Sequence, residues 1–228
     1  MTLRLQSRPV GDVLVVQCYG RIVAGDGAHA LHAYFGDTRS RYIEVVLQMD
    51  QVEFIDSSGL GALVRLTQAI RAKHGDLKLM GVPEMIRRML KMTNLASLFE
   101  VYDSLDEAVT AAYLGSRYSK GQAGDPRPRV LGLIDSTDVR SLLREVLHSA
   151  GYNTVMTSKM EDAEMLAKAM KPNTVLLSAR MSSMDRSLAQ ESLQRLVPGA
   201  RFVMLDEGFA TQDPGEAAQK PLSTLAGL

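Results

Sequence analysis

The chain has 228 residues, beyond the usual size of one compact domain, so two units of about 110 residues each are the first expectation. Hydrophobic residues make up 46% and charged residues 23%, which lets each half bury its own core without metals or cross-links and argues against extensive disorder. The 26 Lys and Arg balance the 26 Asp and Glu, so no net charge draws the chain to a polyphosphate backbone or an anionic membrane, and nucleic acid and membrane are not expected as partners.

Taken in order, residues 2–6 and 13–19 have the character of two short strands, joined by a turn containing Pro9, Gly11 and Asp12. The Gly25-Asp26-Gly27 break precedes residues 28–35, where Ala28, Leu31, His32 and Phe35 recur at helical spacing. Residues 42–49 (YIEVVLQM) form a buried strand on their β-branched content, followed by a short turn before Phe54. Leu60, Leu63, Val64, Leu66 and Ile70 mark a helix over 57–73 with one face on a sheet, stopped by Gly75. A short strand at 77–80, a helix at 84–92 entered through Pro83, another short strand and a helix at 105–114 complete the first half.

Residues 116–128 carry two glycines, a proline pair split by Arg127 and further basic residues, the composition of a solvated linker. They divide a first domain, 1–115, from a second, 129–228. Strand patterns at 129–134, 152–156, 174–177 and 202–205 alternate there with helical ones at 139–150, 162–170 and between the last two strands. That alternation is the signature of a parallel, doubly wound α/β sheet. The tail TQDPGEAAQKPLSTLAGL is expected to be partly disordered on its composition.

The lone cysteine, Cys18, sits in an apolar run, so a disulfide framework is impossible and a buried thiol in a reducing compartment is expected. The amino terminus lacks an apolar stretch of signal-peptide length and no run approaches the roughly 20 apolar residues that span a bilayer. Both point to the cytoplasm.

One string stands out, FIDSSGLGAL at residues 54–63. Asp56, Ser57 or Ser58 caps the helix that follows. Capping alone explains such a string, but glycine costs about 1 kcal/mol relative to alanine inside a helix, and Gly59 and Gly61 both fall in its first turn. Two glycines there suit a surface that another molecule's backbone approaches closely, with the serine at its edge. In the helix at 84–92, Met85, Met89 and Met92 share a stripe beside Ile86 and Leu90; burial in the core is the ordinary reading and a flexible docking surface the alternative. Arg87, Arg88 and Lys91 are expected in solvent.

The loop, the YIEVVLQMDQV strand before it and the GRIVAGDGAHAL segment resemble the STAS domain of bacterial anti-sigma-factor antagonists over about residues 3–115. The resemblance implies a mixed sheet with helices mainly on one face. It also implies phosphorylation of the serine after the aspartate, here Ser57 with Ser58 as second choice, by a partner serine kinase of the GHKL ATPase type that is itself the anti-sigma factor. Asp56, Ser57, Ser58, Gly59, Leu60 and Gly61 would form the partner-binding segment. Unphosphorylated protein would hold the kinase, phosphorylation would release it, and a serine phosphatase would reset the switch. STAS domains also accompany transport ATPases, so a non-phosphorylated accessory subunit is the alternative.

From 129 to about 205 the chain resembles the receiver domain of response regulators, which implies a flavodoxin-like fold. Asp135 matches one of that family's two magnesium-holding acids, but Ile134 stands at the other and Ser178 at the phosphoacceptor aspartate. A serine hydroxyl is no substitute for that carboxylate, and one remaining acid makes a poor magnesium site. Lys220-Pro221 matches the family's lysine-proline pair, yet Lys220 comes only 14 positions after Asp206 (220 − 206), hardly room for the usual helix and fifth strand, so either the match is accidental or the domain is shortened. Docking or dimerisation, not phosphotransfer, is therefore expected, with Asp135, Ser178 and Lys220 as remnants. His29, His32, His74 and His148 lack metal-ligand spacing, and no phosphate loop or nucleophile elbow occurs. Neither an enzyme nor a cofactor or metal site is expected.

Overall fold

Val10 and Val13 face each other across a loop of only two residues, Gly11 and Asp12. Gly11 takes φ 59°, the left-handed geometry that such tight hairpins require and that glycine adopts without strain. This hairpin joins β1 (Arg4–Val10) to β2 (Val13–Ile22). Pro9 lies within β1, which is the edge strand of its sheet, where a missing N–H costs no ladder bond. A computed structural model of the chain describes residues 2–36, 42–119, 127–178 and 180–205, and it divides into two units, 1–123 and 124–228.

In the first unit β2 leads through α1 (Asp26–Gly36) to β3 (Glu44–Ile55), α2 (Ser57–Arg71), β4 (Asp76–Met80), α3 (Glu84–Met92), a 3-10 turn at Ala96–Leu98, β5 (Glu100–Tyr102) and α4 (Leu105–Ser119). The sheet order is β1-β2-β3-β4-β5. Only β1 runs antiparallel to its neighbour. Because β2 to β5 advance in one direction, right-handed crossovers place α1, α2 and α3 on a single face. There Leu14, Val16 and Cys18 of β2, Val45, Leu47 and Met49 of β3, and Leu77 and Leu79 of β4 pack with Leu31, Leu63, Ile70, Ile86 and Leu90 of the helices. The alternate positions Val13, Val15, Val46 and Lys78 are buried too. They point to the opposite face, where α4 lies across β2 to β5 with Ala108, Val109, Ala112 and Tyr113 buried.

The second unit runs β6 (Arg129–Leu133), α5 (Thr137–Ser149), β7 (Asn153–Thr157), α6 (Met160–Met170), β8 (Thr174–Leu177), α7 (Ser183–Leu196), β9 (Arg201–Met204). All pairs are parallel, in the order β7-β6-β8-β9. Right-handed crossovers then put α5 on one face and α6 with α7, which touch, on the other. Val130, Ile134, Leu143, Leu147, Met156, Leu176, Val203 and Leu205 form a core of their own.

The structure moves several expected boundaries. β3 does not end at 49 but continues to Ile55, because β2 follows it with two register shifts as far as the Ile22–Ile55 pair. α2 stops at Arg71, before the expected 73. Gly75 lies beyond the helix, so close to Ile43 that a Cβ would fall 1.9 Å from its carbonyl oxygen. α4 runs to Ser119 and takes up the first residues of the segment expected to be linker. In α3 the buried pair is Ile86 and Leu90, while Met89 is partly buried and Met85 and Met92 are exposed. The methionine stripe is therefore not the core face. Asp206, Lys220 and the tail lie outside the described residues.

Candidate functional site: the entrance of helix α2

At the carboxyl end of β3 the Asp56 N–H donates to the Ile22 carbonyl (3.2 Å). Asp56 is in extended geometry, φ −101° and ψ −178°, and its side chain turns back as the N-cap of α2. One carboxylate oxygen accepts from the Gly59 N–H at 2.8 Å, satisfying an orphan donor of the first helical turn. The other accepts from the Ala24 N–H at 2.9 Å, across the turn between β2 and α1. The Ala24 and Gly59 bonds hold the carboxyl below its ordinary range, against a smaller opposing effect of burial.

Ser57 and Ser58 are exposed at the helix start, and Gly61 is half-buried. Gly59 and Leu60 turn inward, Leu60 to 3% exposure. Gly59 has no room for a side chain, since a Cβ would meet the Ile22 carbonyl oxygen at 2.0 Å. This corrects the sequence expectation for one of the two glycines. The backbone that approaches Gly59 belongs to the same chain. At Gly61 the nearest atom is only the Arg65 Nη1, 3.3 Å from where a Cβ would stand. Of the six residues expected to meet a partner, Ser57, Ser58 and Gly61 face outward, Asp56 is engaged on both oxygens, and Gly59 and Leu60 build the support. Arg21 flanks the entrance with its guanidinium over the Phe54 ring, 5.0 Å from the centroid.

The Ala24 tie escaped sequence reasoning. It joins positions 32 residues apart, and its only local trace is the Gly25-Asp26-Gly27 break, which marks a turn without revealing its partner.

In the second unit Asp135 and Ser178 follow the neighbouring strands β6 and β8, Asp135 exposed and Ser178 buried. The Ser178 N–H donates to the Leu133 carbonyl at 3.1 Å, and its hydroxyl accepts from the Arg180 N–H at 3.3 Å. Arg140, which the sequence did not single out, donates to the carbonyl oxygens of Ile134 and Asp135, each at 2.7 Å. Its cation thus sits beside the β6–α5 turn. Among the described residues no group of three or more His, Cys, Asp or Glu is arranged to hold a metal, and no helix is long and apolar enough to cross a membrane.

A mixed five-stranded sheet with three helices on one face, a fourth on the other and a serine-bearing helix entrance after β3 is the STAS-like α/β architecture. Residues 9–108 match the family model of the STAS domain. Among relatives, the chain is 34% identical over 68 residues to a provisionally named anti-sigma factor antagonist of Thermotoga maritima, an alignment covering 30% of this chain and 60% of that protein. It is 32% identical over 66 residues to the anti-sigma F factor antagonist of Paenibacillus polymyxa, covering 29% and 56% of the respective chains. The chain thus spans less than two thirds of the length of either relative. A crystal structure of a Thermotoga maritima protein, provisionally an anti-sigma factor antagonist, aligns with TM-score 0.44 and 26% identity, covering 47% of this chain and 93% of that one.

Proposed function

We propose that the chain is a protein-interaction switch, an anti-sigma factor antagonist controlled at Ser57. With Ser57 free it binds an anti-sigma factor that is a serine kinase of the GHKL ATPase type; phosphorylation of Ser57 ends the complex, and a serine phosphatase restores it. The observation that carries this reading is the exposed Ser57 hydroxyl at the mouth of α2, presented to solvent beside a backbone fixed by Asp56. The names of the relatives support the antagonist role, and the chemistry supports the switch. A phosphate adds about −1.5 to −2 charges at neutral pH, and a helix start tolerates them because its N–H groups and dipole favour an anion. The fold therefore survives modification. The complex does not, because a surface fitted to a neutral hydroxyl would have to desolvate a dianion, and the Asp56 carboxylate repels it from beside.

The second unit, on this reading, is a flavodoxin-like pseudo-receiver used for docking or dimerisation. Ser178 replaces a phosphoacceptor carboxylate, and the Arg140 cation rests against the turn that carries Asp135. The protein acts in the cytoplasm and catalyses no reaction of its own.

Two measurements test the proposal. Mass spectrometry after incubation with ATP and the cognate kinase is expected to find one phosphate, on Ser57. Ser57→Asp is expected to weaken kinase binding by roughly tenfold or more while the unfolding midpoint stays within about 3 °C of wild type. Normal binding by that variant would overturn the switch.

A further inference from the structure

We propose that α7 is a self-docking helix: a second copy of the chain lays its own α7 antiparallel along the groove between α6 and α7, so that Asp185 of each copy faces Arg195 of the other. This rests on the reading of the second unit as a docking or dimerisation element, and it names the surface and the partner.

α7 carries two stripes. Ala189 and Leu193 are buried and tie the helix to its own unit. Beside them runs a second stripe, Met181, Asp185, Leu188, Ser192 and Arg195, at successive intervals of four, three, four and three residues. That alternation is the seam along which one helix packs on another. Leu188 on this stripe is 56% exposed, and Met184, one turn before it, is 71% exposed. The stripe forms one wall of a groove of about 720 Å³, and Met160 and Glu164 of α6 stand on the other. Large apolar side chains gathered on such an open wall, with charges at its ends, mark a contact surface.

The charges choose the occupant. Along α7 the stripe has an acid, Asp185, toward its start and a base, Arg195, at its end, with Leu188 and Ser192 between. Turned end over end, that order is its own complement, which is what a two-fold contact between identical chains requires. With the axis level with Gln190, Asp185 of one copy meets Arg195 of the other and Leu188 meets Ser192, and each pairing occurs twice. Ser192 is ready for an apolar neighbour, since Glu164 already accepts its hydroxyl. Arg195 comes ten positions after Asp185, about 15 Å along the helix, so the ion pairs close the two ends and the leucines lie inside them, a polar rim around an apolar centre. Both end charges are available. Asp185 accepts only the Ser182 hydroxyl side chain, at 2.6 Å, and Arg195 pairs with Glu191 of its own helix where both are exposed, a pairing that costs little to exchange. A parallel arrangement would instead set Asp185 against Asp185 and Arg195 against Arg195.

Charge reversal in the full-length chain tests the pairing, read by sedimentation velocity over a dilution series. Wild type is expected to form a dimer. Asp185→Arg and Arg195→Asp each bring like charges together at both ends, and each is expected to weaken self-association by about tenfold or more. An equimolar mixture of the two variants regains both ion pairs and is expected to sediment as a dimer at a concentration where neither does so alone. Leu188→Glu, at an exposed position outside the core, is expected to be monomeric with an unchanged circular dichroism spectrum, and it decides the matter if a charge variant folds poorly. Three results would overturn the inference: a monomeric wild type, a dimer indifferent to Leu188→Glu, or a mixture that stays monomeric although both charge variants keep the wild-type spectrum. Phosphorylation of Ser57 and kinase binding are read on the first unit. Their failure sinks the proposed switch and leaves the sedimentation result standing, while a monomeric chain that switches normally sinks the α7 contact alone.

Discussion

The two glycines at the α2 entrance look alike in the sequence and behave as opposites in the structure. A Cβ at Gly59 would overlap the Ile22 carbonyl, which is backbone and yields only if α2 shifts. A Cβ at Gly61 would touch only the far end of the Arg65 side chain, which rotates away. Gly59→Ala is therefore expected to lower stability by about 2–4 kcal/mol. Gly61→Ala is expected to be neutral or to gain up to about 1 kcal/mol from better helix propensity. Urea unfolding of the two single variants checks both signs. If both destabilise alike, the entrance is packed more tightly than described. At this scale the capping string, the exposed serines and the helix start were legible, since capping chemistry is written within a few residues. Which glycine was structural and where the second Asp56 oxygen pointed were not, because both depend on β2 returning beside β3, a contact that leaves no local pattern.

Among the elements, β4 carries the least expected feature, a lysine inside the sheet. Lys78 is 4% exposed, and its ammonium bonds Asp76 and Glu100, each at 2.8 Å. Burial acts on Lys78 to lower its pKa, but the bonds from the two carboxylates outweigh it and raise the value above the ordinary one. Asp76 shows the mirror balance. Burial pushes it up, yet bonds from Lys78, the Leu77 N–H and Arg71 prevail and hold it low. Glu100 is held low by Lys78 first and then by the Tyr102 hydroxyl. Tyr102, half-buried and donating to that carboxylate, is pushed up to about 12.

The signs set a window. The depressed carboxylates stabilise the fold above their unfolded values of about 4, and this contribution is lost as pH falls through their lower folded values. The raised lysine contributes below about 10.4, and that is lost as pH rises through its higher folded value. Lys78→Met is thus expected to flatten the acid limb of stability against pH. At neutral pH it should cost only about 1–2 kcal/mol, since both carboxylates it leaves behind reach solvent. Urea midpoints between acid and neutral pH report this, and a steeper acid limb than wild type would contradict it. The strand itself was legible from Leu77 and Leu79. The inward lysine was not, because alternation assigns Lys78 to the far face without saying that α4 covers it. For α3, likewise, two stripes fit helical spacing equally well. The entry from Pro83, and Arg87 bonded to the Val82 carbonyl and paired with Asp103, choose Ile86 and Leu90 for the core.

Across the whole molecule, each unit has its own sheet and its own core. A chain ending after α4, residues 1–119, is accordingly expected to melt in one cooperative transition with the STAS-like sheet intact, as followed by circular dichroism and calorimetry. Non-cooperative melting would show that the second unit completes the first. The order of strands and helices in both units was readable from hydrophobic patterning, since the central strands are short runs buried on both faces and the helices between them carry one apolar stripe. The reach of α4 to Ser119 was not, because Ser116 to Ser119 have the polar character of the linker that follows.

Cys18 lies at the centre of β2 without exposure, and burial, with a smaller effect from Asp50, pushes its thiol up to about 12. It is also the only sulfhydryl in the chain. A thiol-reactive dye is thus excluded from the native protein and reacts only when the sheet around β2 opens. Labelling rates would time the opening of the first unit alone, since the second is chemically silent to the dye. The protein carries its own clock for one half of itself.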